Sequence, residues 1–331
     1  MTSSAQAIDT FRHEALLYSG WADFVIGAIP FIRDGLEAGE SVLVVESPEK
    51  IDLLRMALDR DADRVLFADM ATVGANPALI IPAWRDFVTR NGAGGKRMRG
   101  IGEPIWNGRS ADELVECQRH ESLLNVAFGH GQPWWLLCPY DVSQLGPAVI
   151  EEALRSHEYV SDAGAARHSD VFRGIEASGA PFDAALNHPA AEARRIDFDS
   201  ETLSAMRSEV THFTISVGLP AARATHYITA VNEVASNSLR YGGGSGSVVV
   251  WRDGDKVVCE VRDNGVYNQP LADRVAPGAD PMDRRGLWLA NQLCDLVQIR
   301  SLPGGTAVRL HMKIDARHRL HVVPEEPART S

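Results

Sequence analysis

The sequence predicts an α/β protein of two domains, the first a mostly parallel sheet flanked by helices. Three observations carry that prediction. The chain has 331 residues, enough for two domains of ordinary size. Residues 10–160 alternate short apolar runs with helical patterns, the order that builds a parallel sheet covered on both faces. Residues 161–193 then turn rich in Ala and Gly, with scattered His and Pro, which reads as a linker carrying at most a short helix.

In the first half, SVLVVES (41–47), RVLFADM (64–70), RMRGIGEP (97–104) and PWWLLCPYD (133–141) read as short buried strands. Helical patterns occupy 21–38, 48–60, 77–91 and 110–129. Five of the seven tryptophans fall here (Trp21, Trp84, Trp106, Trp134 and Trp135), as core or as the wall of an apolar ligand pocket. Glu103 sits between Gly102 and Pro104 at the C-terminal end of a strand, the edge where open parallel sheets gather ligands. Cys138 and Tyr140 end the next strand and can line the same crevice; a packed, satisfied edge is the alternative. Glu116 and His120 lie one helical turn apart, the spacing of an ion pair, and no third ligand of convincing spacing accompanies them. RHEALL (12–17) and RHESLL (119–124) recur without a longer period and do not make a repeat.

Composition narrows the function classes. The formal net charge is −11, and Lys96, Arg97 and Arg99 are the one tight basic run, so direct nucleic-acid binding is not expected. Cys117, Cys138, Cys259 and Cys294 form no C-x-x-C and sit in apolar stretches, as buried free thiols do in a reducing cytosol. The N-terminus has no basic start followed by a long apolar run, and no stretch reaches membrane-spanning length. A soluble, cytoplasmic protein without membrane contact is the expectation.

After the linker, RRIDFDSE (194–201) reads as a strand and 199–217 as one helix's worth of chain. Four segments then follow in order. In HYITAVNEVASNSLRYG (226–242), helical periodicity puts Glu233, Asn237 and Arg240 in one stripe, away from Ile228, Val231, Val234, Ala235 and Leu239. In VVCEVRDNG (257–265) a strand runs into Asp263, Asn264 and Gly265, either a plain turn or a carboxylate aimed at a ligand. RRGLWLANQLCD (284–295) opens an apolar helix on Gly286, and a helix N-terminus offers free N–H groups to an anion. GGTAVRL (304–310) is a turn with Thr306 that feeds a last strand.

In this order and spacing the four segments resemble the N, G1, G2 and G3 boxes of the GHKL ATPase superfamily, over about 120 residues. The resemblance implies a Bergerat fold over 194–315: an α/β sandwich with a mixed sheet and helices on one face. It implies ATP and Mg²⁺ as cofactors, under a mobile lid at roughly 266–285. By that likeness Asn237 would hold Mg²⁺, Glu233 would be the general base, and Arg240 would neutralise phosphate charge. Asp263 would recognise adenine, Gly265 and Gly286 would let backbone approach the nucleotide, and Thr306 would support the adenine end. The chain departs from the family pattern twice: Tyr267 stands where G1 usually has a second glycine, and Arg284 where G2 usually reads G-x-G.

His13-Glu14 and His120-Glu121 share only H-E with the phospho-acceptor motif of sensor histidine kinases, which disfavours that branch. The compact strand–helix–N-box pattern resembles anti-sigma factors that are also serine kinases. That family implies two partners: a sigma factor, and a STAS-domain anti-anti-sigma protein whose serine is the kinase substrate. In the first half, FADM (67–70), NPALIIPAWRDFV (76–88), RGIGEPIW (99–106), ECQRHESLLN (116–125) and WWLLCPYD (134–141) resemble the MEDS sensory domain, which implies a small, hydrocarbon-derived ligand. A sensory pocket is accordingly expected among Glu103, Trp106, Glu116, His120, Cys138 and Tyr140. The leading reading is a sensor at 10–160 controlling an anti-sigma serine kinase at 194–315, with a tail at 316–331. The competing readings are a partner-sequestering protein without phosphoryl transfer and a metabolic enzyme in the first domain; a homodimer is compatible with each.

Overall fold

The structure is a computed structural model that describes residues 10–129, 133–162, 165–176, 182–190, 192–276 and 285–315. It divides into two compact units, one holding most of the chain up to residue 178 and the other most of the chain from residue 179. Among the described residues, no helix is long and apolar enough to cross a membrane.

The first unit is a seven-stranded sheet with helices on both faces. Its elements are β1 (Arg12–Tyr18), α1 (Gly20–Glu37), β2 (Ser41–Glu46), α2 (Pro48–Leu58), β3 (Val65–Asp69), α3 (Met70–Val73) and α4 (Ile80–Asn91). There follow β4 (Met98–Gly102), α5 (Ala111–Phe128), β5 (Trp134–Asp141), α6 (Pro147–Ser156), β6 (Tyr159–Asp162) and β7 (Ala165–His168). The strand order is β3-β2-β4-β5-β1-β6-β7, parallel throughout except for the antiparallel β6–β7 pair. On one face Leu16, Tyr18, Val44 and Ile101 pack against Phe24 and Ile32 of α1 and Leu54 of α2. On the other, the Trp84 ring of α4 lies across β4. A Cβ added at Gly100 or Gly102 would come within 2.9 or 2.8 Å of that ring, so both positions need glycine.

Two elements differ from the sequence reading. β1 is a central strand that apolar periodicity does not reveal, because His13 and Glu14 occupy it and are buried. The segment read as a linker from residue 161 opens with strand, not coil: β6 pairs with β1, and β7 pairs with β6 through four register positions. β7 is exposed along its whole length, so no hydrophobic alternation marks it.

The second unit comprises β8 (Arg194–Asp199), α7 (Leu203–Ser216), α8 (Ala221–Tyr241), β9 (Ser245–Asp253), β10 (Lys256–Asp263), α9 (Arg285–Leu293), β11 (Leu296–Leu302) and β12 (Gly305–Lys313). The sheet order is β11-β12-β10-β9-β8. Every pairing in it is antiparallel, where a mixed sheet was expected. The turns explain two of the four pairings: Gly254 and Gly304 take φ of +58° and +93° in tight links joining β9 to β10 and β11 to β12, and such short links join only antiparallel strands.

One sheet face is apolar by alternation: Val248 and Val250, then Val257, Cys259 and Val261, then Val308, Leu310 and Met312. Met206 and Val210 of α7, Val231 and Val234 of α8, and Ala290 of α9 share that core, so the three helices lie on one face. α8 buries the stripe Tyr227, Val231, Val234 and Ser238, spaced as a 3.6-residue period requires. Its Tyr227 hydroxyl donates to the Leu310 carbonyl at 3.0 Å and thereby anchors the helix to β12.

Candidate functional site

In the second unit the sequence-predicted residues fall into two adjoining groups, both resting on α8. Asp263 ends β10 and is the register partner of Thr306 on β12. Its two carboxylate oxygens accept from different places: Oδ2 from the Ser238 hydroxyl at 2.6 Å, and Oδ1 from the Gly265 amide at 2.8 Å. Thr306 donates to the Gly265 carbonyl at 2.9 Å and so holds the turn after β10 from the other side. Glycines permit the crowding. A Cβ at Gly265 would meet the Tyr241 carbonyl at 2.7 Å, and one at Gly242 would meet the Asp263 carboxyl carbon at 2.5 Å.

The second group is Glu233, Asn237 and Gly286. Glu233 and Asn237 stand one turn apart on α8, both half-buried. Gly286 opens α9 against them: a Cβ there would meet the Asn237 amide nitrogen at 2.8 Å and the Glu233 carbonyl at 3.3 Å. Arg240, a turn further on, is exposed. The structure thus brings Asp263, Gly265 and Thr306 together, and brings Asn237 and Glu233 to Gly286. Ser238 joins the groups, and sequence reasoning missed it. Its place one residue after Asn237, on the buried side of α8, is the signal that could have found it.

Chemically the arrangement can serve a nucleotide. The Asp263 carboxylate has lone pairs left after its two internal bonds, so it can accept from an exocyclic amine. Asn237 offers a neutral oxygen of the kind a hard cation takes, and Glu233 a carboxylate beside it. An open groove also adjoins Asp263, lined among others by Asp197, Ser247, Asn264 and Gly304. Asp263 and Thr306 themselves line it, and Glu233, Asn237 and Gly286 do not. Of the family departures, Tyr267 is built into the fold: its hydroxyl donates to Asp273 at 2.9 Å, and its carbonyl accepts from Ser301 at 2.5 Å. Arg284 and part of the expected lid lie outside the described residues.

In the first unit, Glu103 follows β4 and is buried. Its Oε1 accepts from the Tyr18 hydroxyl at the end of β1 at 2.9 Å, and its Oε2 pairs with the Lys50 ammonium in the first turn of α2. Lys50 also donates to the Tyr18 oxygen at 2.5 Å and lies 3.9 Å from Glu46, which ends β2. One ammonium thus faces two buried carboxyls at the C-terminal edge of the sheet. Burial pushes the Glu103 carboxyl up, against the pull of Lys50. Burial and then the neighbouring Glu103 push Glu46 well above the ordinary carboxylate range.

That yields a prediction. An acid whose pKa is raised by folding is destabilising when ionised, fully so above its folded pKa, and the penalty fades as pH falls toward the unfolded value near 4.5. Glu46→Gln should therefore raise Tm at neutral pH, with a gain that shrinks on acidification. Thermal melts from neutral to acidic pH check it; a lower Tm at neutral pH would mean that Lys50 needs both carboxylates.

The six residues expected to share one sensory crevice do not do so. Strand alternation separates them: Tyr18, the partner of Glu103, and His13, the neighbour of Cys138, are five residues apart on β1 and point to opposite faces. Cys138 lies 3.4 Å from His13, and the Tyr140 ring stands edge-on to His157 at 5.6 Å. Trp106 is capped by the Arg109 guanidinium 3.7 Å from its ring centre. Glu116 pairs with Arg119 at 3.8 Å on α5, where His120 is buried as well.

Comparison with known proteins places both units. Residues 12–158 match the MEDS family, the MEthanogen/methylotroph, DcmR Sensory domain. Residues 196–312 match the histidine kinase-like ATPase domain, a GHKL-type family. The transcriptional repressor DcmR of Methylorubrum extorquens is 26% identical over 159 residues, which cover 44% of this chain and 58% of that relative. Among solved structures, the RsbU and RsbW domains of Rv1364c from Mycobacterium tuberculosis align over 38% of this chain and 32% of theirs, at 16% identity and a TM-score of 0.29. The Acinetobacter baumannii histidine kinase AdeS aligns over 37% of this chain and 68% of its own, at 10% identity and a TM-score of 0.24. The chain therefore joins a MEDS sensory domain to a histidine kinase-like, GHKL-type ATPase domain.

Proposed function

We propose that the protein is a signalling regulator whose sensory domain governs an Mg-ATP-dependent anti-sigma module with serine kinase activity. The observation that supports it best is the meeting of Asp263, Gly265 and Thr306 beside the α8 face that carries Glu233 and Asn237, with Gly286 opening α9 against them. In this reading Asp263 accepts from the adenine amino group, oriented by Ser238 and Gly265. Asn237 supplies an oxygen to Mg²⁺, and Arg240 reaches phosphate from the exposed end of the helix. Bound Mg-ATP supplies the transferable phosphoryl group. Glu233 takes the proton from an incoming serine hydroxyl of a STAS-domain partner. Sequestration of a sigma factor by the same domain is the output, and a small molecule in the first domain is the input.

Tyr267 supports a second reading. Its side chain is tied to Asp273 and its backbone to Ser301, where the family pattern has a small residue. In that reading the domain holds a partner without transferring phosphate.

The test of nucleotide binding is calorimetry on the full chain. Wild type should bind Mg-ATP, and Asp263→Asn should bind about tenfold or more weakly, the loss of a charge-assisted acceptor of about 1.5–3 kcal/mol. No heat from wild type at millimolar Mg-ATP, or equal affinity in the variant, would overturn the assignment of Asp263.

A further inference from the structure

We propose that the sensory domain holds a divalent metal ion, best matched by zinc, on His13, Glu121, Cys138 and His157. These residues come from β1, α5, β5 and the position after α6. The side-chain ligand atoms of all four lie within 4.8 Å of one another, and all four residues are buried. His13 Nε2 is 3.1 Å and His157 Nε2 3.2 Å from the same oxygen, Glu121 Oε2. Cys138 Sγ is 3.4 Å from His13 Nε2.

The hydrogen bonds around the cluster decide which nitrogens carry protons. Asn125 directs its amide nitrogen to the Ser156 carbonyl at 2.8 Å, and also to Ser122, which turns its Oδ1 toward His13. His13 Nδ1 is 3.1 Å from that oxygen, which can only accept. His157 Nδ1 is 2.8 Å from the Ala153 carbonyl, which also can only accept. Both rings therefore place a proton on Nδ1, and in the neutral form both aim a bare Nε2 lone pair at a carboxylate oxygen. Two lone pairs and a carboxylate then face one another in a buried cluster, with the Cys138 thiol as the only donor of the four. The Glu121 Oε1 oxygen and the His157 nitrogen Nε2 have no hydrogen-bond partner among the described residues. With both rings neutral such a set lacks positive charge at its centre, and a buried carboxylate without a counter-charge is costly.

A divalent cation supplies that charge. The two histidines already donate their other N–H to oxygen acceptors, the outer contacts that metal-ligating histidines make. For zinc bond lengths and tetrahedral angles the ligand edges are about 3.4 Å for N···O and about 3.6 Å for N···S. The three distances above lie within about 0.3 Å of these edges. The widest separation, up to 4.8 Å, must close by about 1.2 Å through side-chain rotation to complete the shell. A mixed N₂OS donor set suits zinc over the hard, oxygen-seeking Mg²⁺ or Ca²⁺. Full burial means that the ion enters as the chain folds and then ties two strands to both helical segments on that face. His13 and Glu121 belong to the two R-H-E segments whose recurrence carried no meaning in the sequence, and Cys138 reads there as a buried free thiol and as a candidate for the sensory pocket.

The test uses the untagged full chain. Elemental analysis of protein purified without chelator should find one zinc per chain. Protein unfolded in denaturant with chelator and refolded with Co²⁺ should show visible d–d bands of tetrahedral intensity and a near-ultraviolet thiolate-to-cobalt charge-transfer band. Cys138→Ser should abolish the charge-transfer band and keep the d–d bands; His157→Ala should lose stoichiometric metal. Circular dichroism of each refolded variant separates loss of metal from loss of fold. Substoichiometric metal in the native protein together with a colourless cobalt refold would overturn the site, leaving a proton shared between Glu121 and the histidines. Unchanged metal content in folded Cys138→Ser/His157→Ala would overturn it too, by placing the ion elsewhere.

Discussion

Glu233→Ala is expected to retain Mg-ATP affinity near the wild-type value while slowing phosphoryl transfer to a STAS-domain serine by at least about a hundredfold, the scale on which a positioned base acts. Asn237→Ala is expected to fail differently, by losing the Mg²⁺-dependent part of nucleotide binding. The structure motivates the split. Both side chains rise from the same face of α8, but a Cβ on Gly286 at the start of α9 would meet the side chain of Asn237, whereas the nearest Glu233 atom there is its backbone carbonyl. Radiolabelled transfer under single-turnover conditions, with calorimetry of each variant, reads the two effects separately. If both variants lose binding equally, Glu233 is not a base. If wild type binds nucleotide and transfers nothing to any STAS protein, the sequestering reading replaces the kinase.

The largest stability effect is expected at Glu260 on β10. It is fully buried and accepts on Oε2 from Arg309 of β12, at 2.9 Å from Nε and 2.6 Å from Nη2. Its Oε1 accepts from Arg262 at 2.5 Å. Arg309 also donates to the Asn187 carbonyl at 2.5 Å and stacks over Trp251 at 5.1 Å. Glu260→Ala leaves the buried Arg309 guanidinium without its counter-charge, and truncations of that kind cost about 3–5 kcal/mol. Glu260→Met combined with Arg309→Met should recover much of that, because no charge is then left inside. Urea unfolding of the two variants decides the matter. A loss below about 1 kcal/mol for Glu260→Ala would show that the pair behaves as a solvent-screened one. The effect bears on function, since β10 and β12 together carry Asp263 and Thr306 at their paired ends.

What could be read from the sequence was whatever local pattern encodes. The apolar runs of β2, β3, β4 and β5 and the intervening helices defined a parallel α/β unit, because strands buried on both faces must be apolar along their length. The stripe of Glu233 and Asn237, the Asp263 turn and the Gly286 helix start marked the ATPase-like half, because each needs a particular residue type at a short spacing. Tertiary structure decided the rest. β1 escaped the apolar pattern because its buried His13 faces groups more than a hundred positions away, Glu121 and Asn125. The single sensory crevice expected around Glu103 and Cys138 became two clusters, because strand alternation sends Tyr18 and His13 to opposite faces. Ser238 gained its part in holding Asp263 only when α8 packed against the end of β10. The convergence of His13, Glu121, Cys138 and His157 has no local signature at all: residues on three elements and one just after a fourth acquire a common centre only through the order in which the strands assemble, and that order is set by long-range packing.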